Sequence, residues 1–240
     1  MVIPVYDDDP LDRNTRPYVT VAILAANIVL FAIQTVASPK IQGAMELSFP
    51  LIPAVLTGLA YPVSELPPSL TLFTYMFLHG GWMHLVGNML FLWVFGDNIE
   101  DAIGHVRFAI FYLLCGLAGG LTHILSAPES TVPLIGASGA VAGIVAAYLM
   151  LRPCARVTVL LFGGIPLRLA SYWVLGFWAL TQFWNVLFGD LGSTAWWAHI
   201  GGLGAGAVLI VFMRPAHVRL FDCVRPLPAV AAEGDRALTG

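Results

Sequence analysis

The sequence predicts an all-α membrane protein: a bundle of six transmembrane helices with a first outer loop lying in the membrane interface. Three observations lead there. Of 240 residues, 58% are hydrophobic and 10% charged, whereas soluble domains carry about a quarter charged residues. Six apolar runs, near 18–37, 80–96, 106–126, 138–151, 169–188 and 196–213, approach the length that a helix needs to cross the hydrocarbon core. Finally, Lys and Arg fall almost entirely on alternate connections.

Taken in order, the first segment, 1–17, contains "YDDDPLDRNTRP", too long and acidic for the start of a secretory signal. The run at 18–37 therefore reads as a retained span. The stretch 38–79, with "FPLIPAVLTGLAYPVSELPPSL", is too broken by proline for a span and too apolar for a solvated loop, so it is expected in the interface. Five further runs follow as spans, and 214–240 is expected to be a poorly ordered tail. With the N-terminus inside, inner segments hold Arg13, Arg16, Arg107, Arg152, Arg156, Arg168, Arg214, Arg219, Arg225 and Arg236, and outer segments hold Lys40 alone. That is a positive-inside pattern, with both termini cytoplasmic. Trp82, Trp196 and Trp197 then fall near outer interfaces.

Composition also excludes classes. A net charge of −3 gives no basis for nucleic-acid binding. Cys115, Cys154 and Cys223 have no metal-ligand spacing and are odd in number, so no disulfide framework is expected. No cofactor or metal motif is present, and nothing specifies an oligomer. The lack of an internal repeat disfavours an inverted-repeat transporter.

Within the spans, three polar residues share a depth. At about 1.5 Å per residue, Ser138 lies roughly 21 Å from Arg152, His199 roughly 22 Å from Arg214 and His84 roughly 20 Å from Asp97. If those charges mark the inner surface, all three lie some 10 Å below the outer one in a ~30 Å core. Asn88 follows His84 on the same helix face. Polar groups at such depth are costly and face a partner or a wet cavity. A serine and a histidine at matched depth can form a nucleophile and base. Gly139 and Gly143, and Gly202 and Gly206, are spaced four apart, which lets helix backbones approach closely in lipid. Each feature also has a plainer reading: packing for the glycines, a backbone hydrogen bond for the serine, a structural role for the histidine.

The stretches "HGGWMHLVGNMLFLWVFGDNIED", "GASGAVAGI" and "AHIGGLGAG" together resemble the rhomboid family of intramembrane serine proteases, in the right order over roughly 18–213. The layout is similar to that of bacterial six-span members. The resemblance implies that Ser138 is the nucleophile and His199 the general base, with His84, Asn88 and the Ser138 backbone N–H as oxyanion donors. No acid lies at that depth, so a dyad is expected rather than a triad. Gly136, Gly139, Gly202, Gly206 and His79 would support the site. Catalysis by Asp97, Glu100 and Asp101 is not expected; capping or loop hydrogen bonding is. By the same resemblance the fifth span, with Trp173, Phe177, Trp178, Phe183 and Trp184, would gate lateral entry of substrate, although lipid contact explains each of these aromatics equally well.

Two departures from the family pattern stand out. Ala142 occupies a position where an aromatic ring often stacks on the histidine, so either His199 is held by something else or the site is looser. Between 38 and 81 there is no arginine, where many members carry a Trp-Arg pair. The expected activity is hydrolysis of peptide bonds in or beside transmembrane helices of membrane-protein substrates. The expected setting is a bacterial inner membrane, with the site opening to the periplasmic side. Two other classes stay open: an inactive relative that binds transmembrane helices, and a channel or transporter whose polar path these residues line.

Overall fold

The computed structural model describes residues 2–9, 11, 16–62, 64–161, 164–189 and 195–223. Each of the six apolar runs forms a helix. These are α1 (Tyr18–Val36), α5 (Trp82–Ile103), α6 (His105–Ser126), α7 (Ser138–Leu151), α8 (Ser171–Phe188) and α9 (Trp196–Met213), with the short helices α2 (Pro39–Ser48), α3 (Pro53–Leu56) and α4 (Thr71–Thr74) between α1 and α5. Among the described residues α1, α6 and α9 are long and apolar enough to cross a membrane, and α7 is a shorter apolar helix.

Glycine and proline punctuate the chain. Pro39 opens α2 at a position where its missing N–H costs nothing. Gly104, at φ +85, ends α5 in a conformation that disfavours side chains and turns straight into α6. Helix α1 has no side-chain cap of its own, because Pro17 precedes it. Its exposed N–H groups are taken by Glu100 from α5. Val19 N–H donates to Oε1 at 2.9 Å, and Thr20 donates through N–H (2.7 Å) and hydroxyl (2.6 Å) to Oε2. His105 Nδ1 lies 2.5 Å from Oε1. The fully buried carboxylate is thus a helix cap supplied in trans, in keeping with the capping role expected for this acidic stretch. Helix α5 runs past Gly96, where the apolar run ends, to Ile103.

Helix α7 sits at the centre. It is apolar on every face, and such a helix must be surrounded: all residues from Gly139 to Tyr148 are buried. It packs on α5, α6 and α9. The chain before it, 127–137, is an irregular loop held by the 38–79 connection. Leu51 and Leu134 exchange backbone hydrogen bonds, Ala54 N–H donates to Ser130 O, and Gly136 N–H donates to Tyr75 O at 2.9 Å. The Tyr75 hydroxyl donates to Gly116 O on α6.

The opposite end of the bundle corrects the all-α expectation. Strands β1 (Val2–Asp7), β2 (Arg156–Leu161) and β3 (Ile165–Ala170) form an antiparallel sheet in that order. The β1–β2 pairing is non-local, and six-residue strands leave only a weak sequence signal even in the β2–β3 hairpin, so the sheet escaped the periodicity reading. The N-terminal segment set apart at 1–17 therefore contributes a strand beside the bundle. Its three consecutive acids all engage other parts of the fold. Asp7 accepts from Tyr148 of α7 (2.5 Å) and Asn98 of α5 (2.7 Å), Asp8 pairs with Arg168 of β3, and Asp9 pairs with Arg152 after α7 (2.7 Å).

Cys154 and Cys223 form a disulfide, a correction to the cysteine reading: an odd count says nothing about which two of three thiols meet. It ties the chain after α9 to the α7–β2 turn. Phe221 N–H donates to Met150 O there, so 214–223 is folded against the bundle. Residues 224–240 of the expected tail, and with them Arg225 and Arg236, lie outside the described residues, as does Arg13.

Candidate active site

Ser138 is the first residue of α7, so its N–H is one of the helix's unpaired donors at the end where the dipole is positive. His199 lies in the first turn of α9. Their side chains meet: His199 Nε2 is 2.8 Å from Ser138 Oγ. Ser138 is half-buried and His199 buried.

Glycines make this approach possible. A Cβ on Gly202 would overlap the carbonyl oxygen of Gly139, and one on Gly206 would overlap that of Gly143. Helices α7 and α9 therefore touch backbone to backbone along the Gly139–Gly143 and Gly202–Gly206 faces, as small residues at this spacing permit. Helix α6 approaches as closely: a Cβ on Gly119 would come within 2.7 Å of Ala198 O, and one on Gly143 would strike Cys115.

His84 and Asn88 come from the first turns of α5 and face the loop before Ser138. Gly136 has φ +119, and a Cβ there would lie 2.6 Å from His84 Nε2 and 3.8 Å from Asn88 Nδ2. The structure thus brings Ser138, His199, His84, Asn88 and Gly136 together. Asn88 Nδ2 is buried with no hydrogen-bond partner among the described residues. A donor in that state is free for an acceptor that is not part of the protein.

His79 sits behind His84. Their rings meet edge to face with centroids 5.1 Å apart, and its backbone is held by the Gln34 side chain. It does not reach Ser138 or His199 by any hydrogen bond among the described residues. Gly80 N–H contacts His84 Nδ1 at 3.4 Å, so the loop that carries His79 also steadies the His84 ring.

Ala142 is fully buried in α7 and offers the histidine no ring. Its place is taken from other helices. Trp178 of α8 and Trp196 of α9 flank His199, at centroid distances of 6.2 and 5.8 Å. Gln182 of α8 reaches His199 Nδ1 at 2.8 Å. Sequence reasoning missed Gln182, although a polar residue inside an apolar run was the available signal. Trp178, counted among the aromatics of the entry helix, lies beside the histidine, whereas Trp173, Phe177, Phe183 and Trp184 are exposed, as lipid-facing side chains are.

The wider family is now identifiable. A family model described as the rhomboid domain matches residues 68–216. That is more than half the chain, so the chain belongs to the rhomboid family, whose members are generally intramembrane serine proteases. Among curated proteins it is similar to RHOMBOID-like protein 6, mitochondrial, of Arabidopsis thaliana, at 33% identity over 60% of this chain and 44% of that one. It is also similar to the rhomboid protease GluP of Bacillus subtilis, at 38% identity over 32% of this chain and 15% of the relative. Inactive rhomboid protein 1 of Drosophila melanogaster is 36% identical over 33% of this chain and 6% of its own length. Each match spans less than half of the relative. The family and the apolar helices make this an integral membrane protein. A mitochondrial relative stands beside a bacterial one, which widens the bacterial inner membrane expected from the layout to membranes generally.

Proposed function

We propose that this chain is an intramembrane serine endopeptidase that hydrolyses peptide bonds within or next to transmembrane helices of membrane-protein substrates. The observation that carries the proposal is the 2.8 Å approach of Ser138 Oγ to His199 Nε2 at the ends of two helices packed without side chains between them.

In this reading Ser138 Oγ attacks the scissile carbonyl carbon while His199 Nε2 takes the hydroxyl proton. Negative charge develops on the carbonyl oxygen. The Ser138 N–H, Asn88 Nδ2 and His84 Nε2 supply donors for it, preorganised in a site shielded from bulk water. The imidazolium then gives its proton to the leaving amine. Water, deprotonated by the neutral imidazole, cleaves the acyl-enzyme. Gly136 lets the chain turn against His84 and Asn88 so that the oxyanion can sit among these donors. Gly139, Gly202 and Gly206 hold the nucleophile and base at hydrogen-bonding distance, and His79 backs the His84 ring.

The proposed setting has six spans in a protease unit of 18–213, both termini on the inner side, the 38–79 connection in the interface and the site opening outward. The arginines paired to Asp8 and Asp9 sit at the end away from Ser138, which agrees with a positive inner face.

A second reading, a helix-binding relative without activity, draws on the similarity to a protein named inactive. Both are tested by reconstituting wild type and Ser138→Ala in liposomes at neutral pH with a glycine-containing transmembrane helix as substrate. Cleavage by wild type alone supports the protease. Binding by both forms without cleavage by either, over a panel of such helices, sinks it in favour of the second reading.

A further inference from the structure

Gln182 is 3% exposed and lies in the middle of α8. Its amide nitrogen donates to the Trp178 carbonyl at 2.8 Å and contacts the Thr181 hydroxyl at 3.0 Å. The Thr181 hydroxyl itself donates to the same carbonyl at 2.6 Å. Its amide oxygen lies 2.8 Å from His199 Nδ1.

These contacts leave one consistent arrangement of protons. A carbonyl oxygen can only accept, so the Trp178 oxygen must face the NH2 group of Gln182 and not its oxygen. Turning the amide over would set two acceptors 2.8 Å apart. The Gln182 oxygen is therefore aimed at Nδ1, and since it too can only accept, Nδ1 carries the hydrogen. A neutral imidazole has one N–H, so Nε2 is left as a lone pair facing the Ser138 hydroxyl. Among the described residues no other group bonds Nδ1.

We infer that Gln182 is a positioning residue that fixes His199 as the Nδ1–H tautomer and presents Nε2 as a proton acceptor to Ser138. It is a neutral counterpart of the carboxylate in a Ser-His-Asp triad, which acts on its histidine in the same way. It comes from α8, whereas nucleophile and base come from α7 and α9, so three helices must be in register for the base to function. The consequence for catalysis rests on the protease reading; the tautomer assignment does not.

The test uses the full chain with 15N-labelled histidine, in detergent for spectra and in liposomes for kinetics. The variants are Gln182→Met, close in size without an acceptor, and Gln182→Glu, which keeps one. The expected results are an Nδ1–H signature for His199 in wild type and in Gln182→Glu, and its loss in Gln182→Met. In the cleavage assay Gln182→Met should lose about 10- to 100-fold in kcat, part of the ~10²–10⁴ that a positioned base contributes, with KM nearly unchanged and Gln182→Glu recovering most of the rate. An unchanged tautomer in Gln182→Met, or equal loss in both variants, overturns the inference. Wild type against Ser138→Ala in the same liposomes decides the protease reading separately. A wild type that cuts nothing but shows the Gln182-dependent tautomer removes that reading and sustains the assignment.

Discussion

Gly136 combines φ +119 with a place where an added Cβ would run into the His84 ring. Any Cβ there is strained by the backbone and also meets His84 Nε2 at 2.6 Å. Gly136→Ala should therefore displace His84 while leaving α7 intact. A proteolysis rate at least tenfold lower with an unchanged elution profile is expected, and a rate equal to wild type would remove Gly136 from the site. Asn88→Ala deletes a donor that is buried and unpartnered among the described residues. Losing one oxyanion donor typically costs about 10²–10³ in kcat. Because the described residues spend no hydrogen bond on that amide nitrogen, stability should hold while kcat falls. A drop in thermal midpoint matching the drop in rate would mark Asn88 as structural instead.

Helix α9 carries glycines of two kinds. Gly202 and Gly206 lie where a Cβ would enter the backbone of α7, whereas a Cβ on Gly204 meets nothing within 4 Å. Gly206→Val should drive α7 and α9 apart, abolishing activity and broadening the size-exclusion peak, and Gly204→Ala should leave both unchanged. Similar effects from the two substitutions would reduce these glycines to general helix flexibility. Strand β1 supports a different prediction. The Asp7 carboxyl is pushed up to about 7, first by burial; its bond from Tyr148 opposes the shift, and the carboxylates of Asp97 and Asp9 add to it. An unfolded Asp titrates near 4, so between about pH 4 and 7 the unfolded chain releases a proton that the docked strand retains. Stability from this group is complete below that window and is lost as pH rises through it. Asp7→Asn can still accept from Tyr148 and Asn98. It should flatten the fall in thermal midpoint across the window and raise the midpoint above pH 7. An unaltered slope would place the titration elsewhere.

For the molecule as a whole, the two ends of the bundle are built differently. The end with Ser138 and His199 is formed by helix termini and an irregular loop, and it leaves polar groups unspent. The other end is closed by a sheet, ion pairs to Asp8 and Asp9, and the Cys154–Cys223 bond. That bond closes a loop of sequence separation 69, and loops of this length are worth roughly 4 kcal/mol to the folded state. Cys154→Ser should lower the thermal midpoint by several degrees, and reduction of wild type should lower it equally. Neither should change cleavage measured well below the midpoint, because the bond lies at the far end of α7. A rate that follows the redox state would instead couple that end to the site.

The periodic and compositional signals reported every long helix, because a segment apolar enough for lipid has few alternatives to a helix. Equal counting distances from charged ends also put Ser138, His199 and His84 at one level, since helical rise is nearly constant. The sheet, the disulfide, the helix that Glu100 caps and the hold of Gln182 on His199 were not legible. Apart from the local β2–β3 hairpin, each joins residues far apart in the chain, from the 17 positions between Gln182 and His199 to the 157 between Ile3 and Leu160. Composition and spacing determine which residues are apolar, small or polar at a given depth. Which polar group meets which is decided only when the helices pack, because a hydrogen bond depends on position and orientation in space that no local pattern encodes.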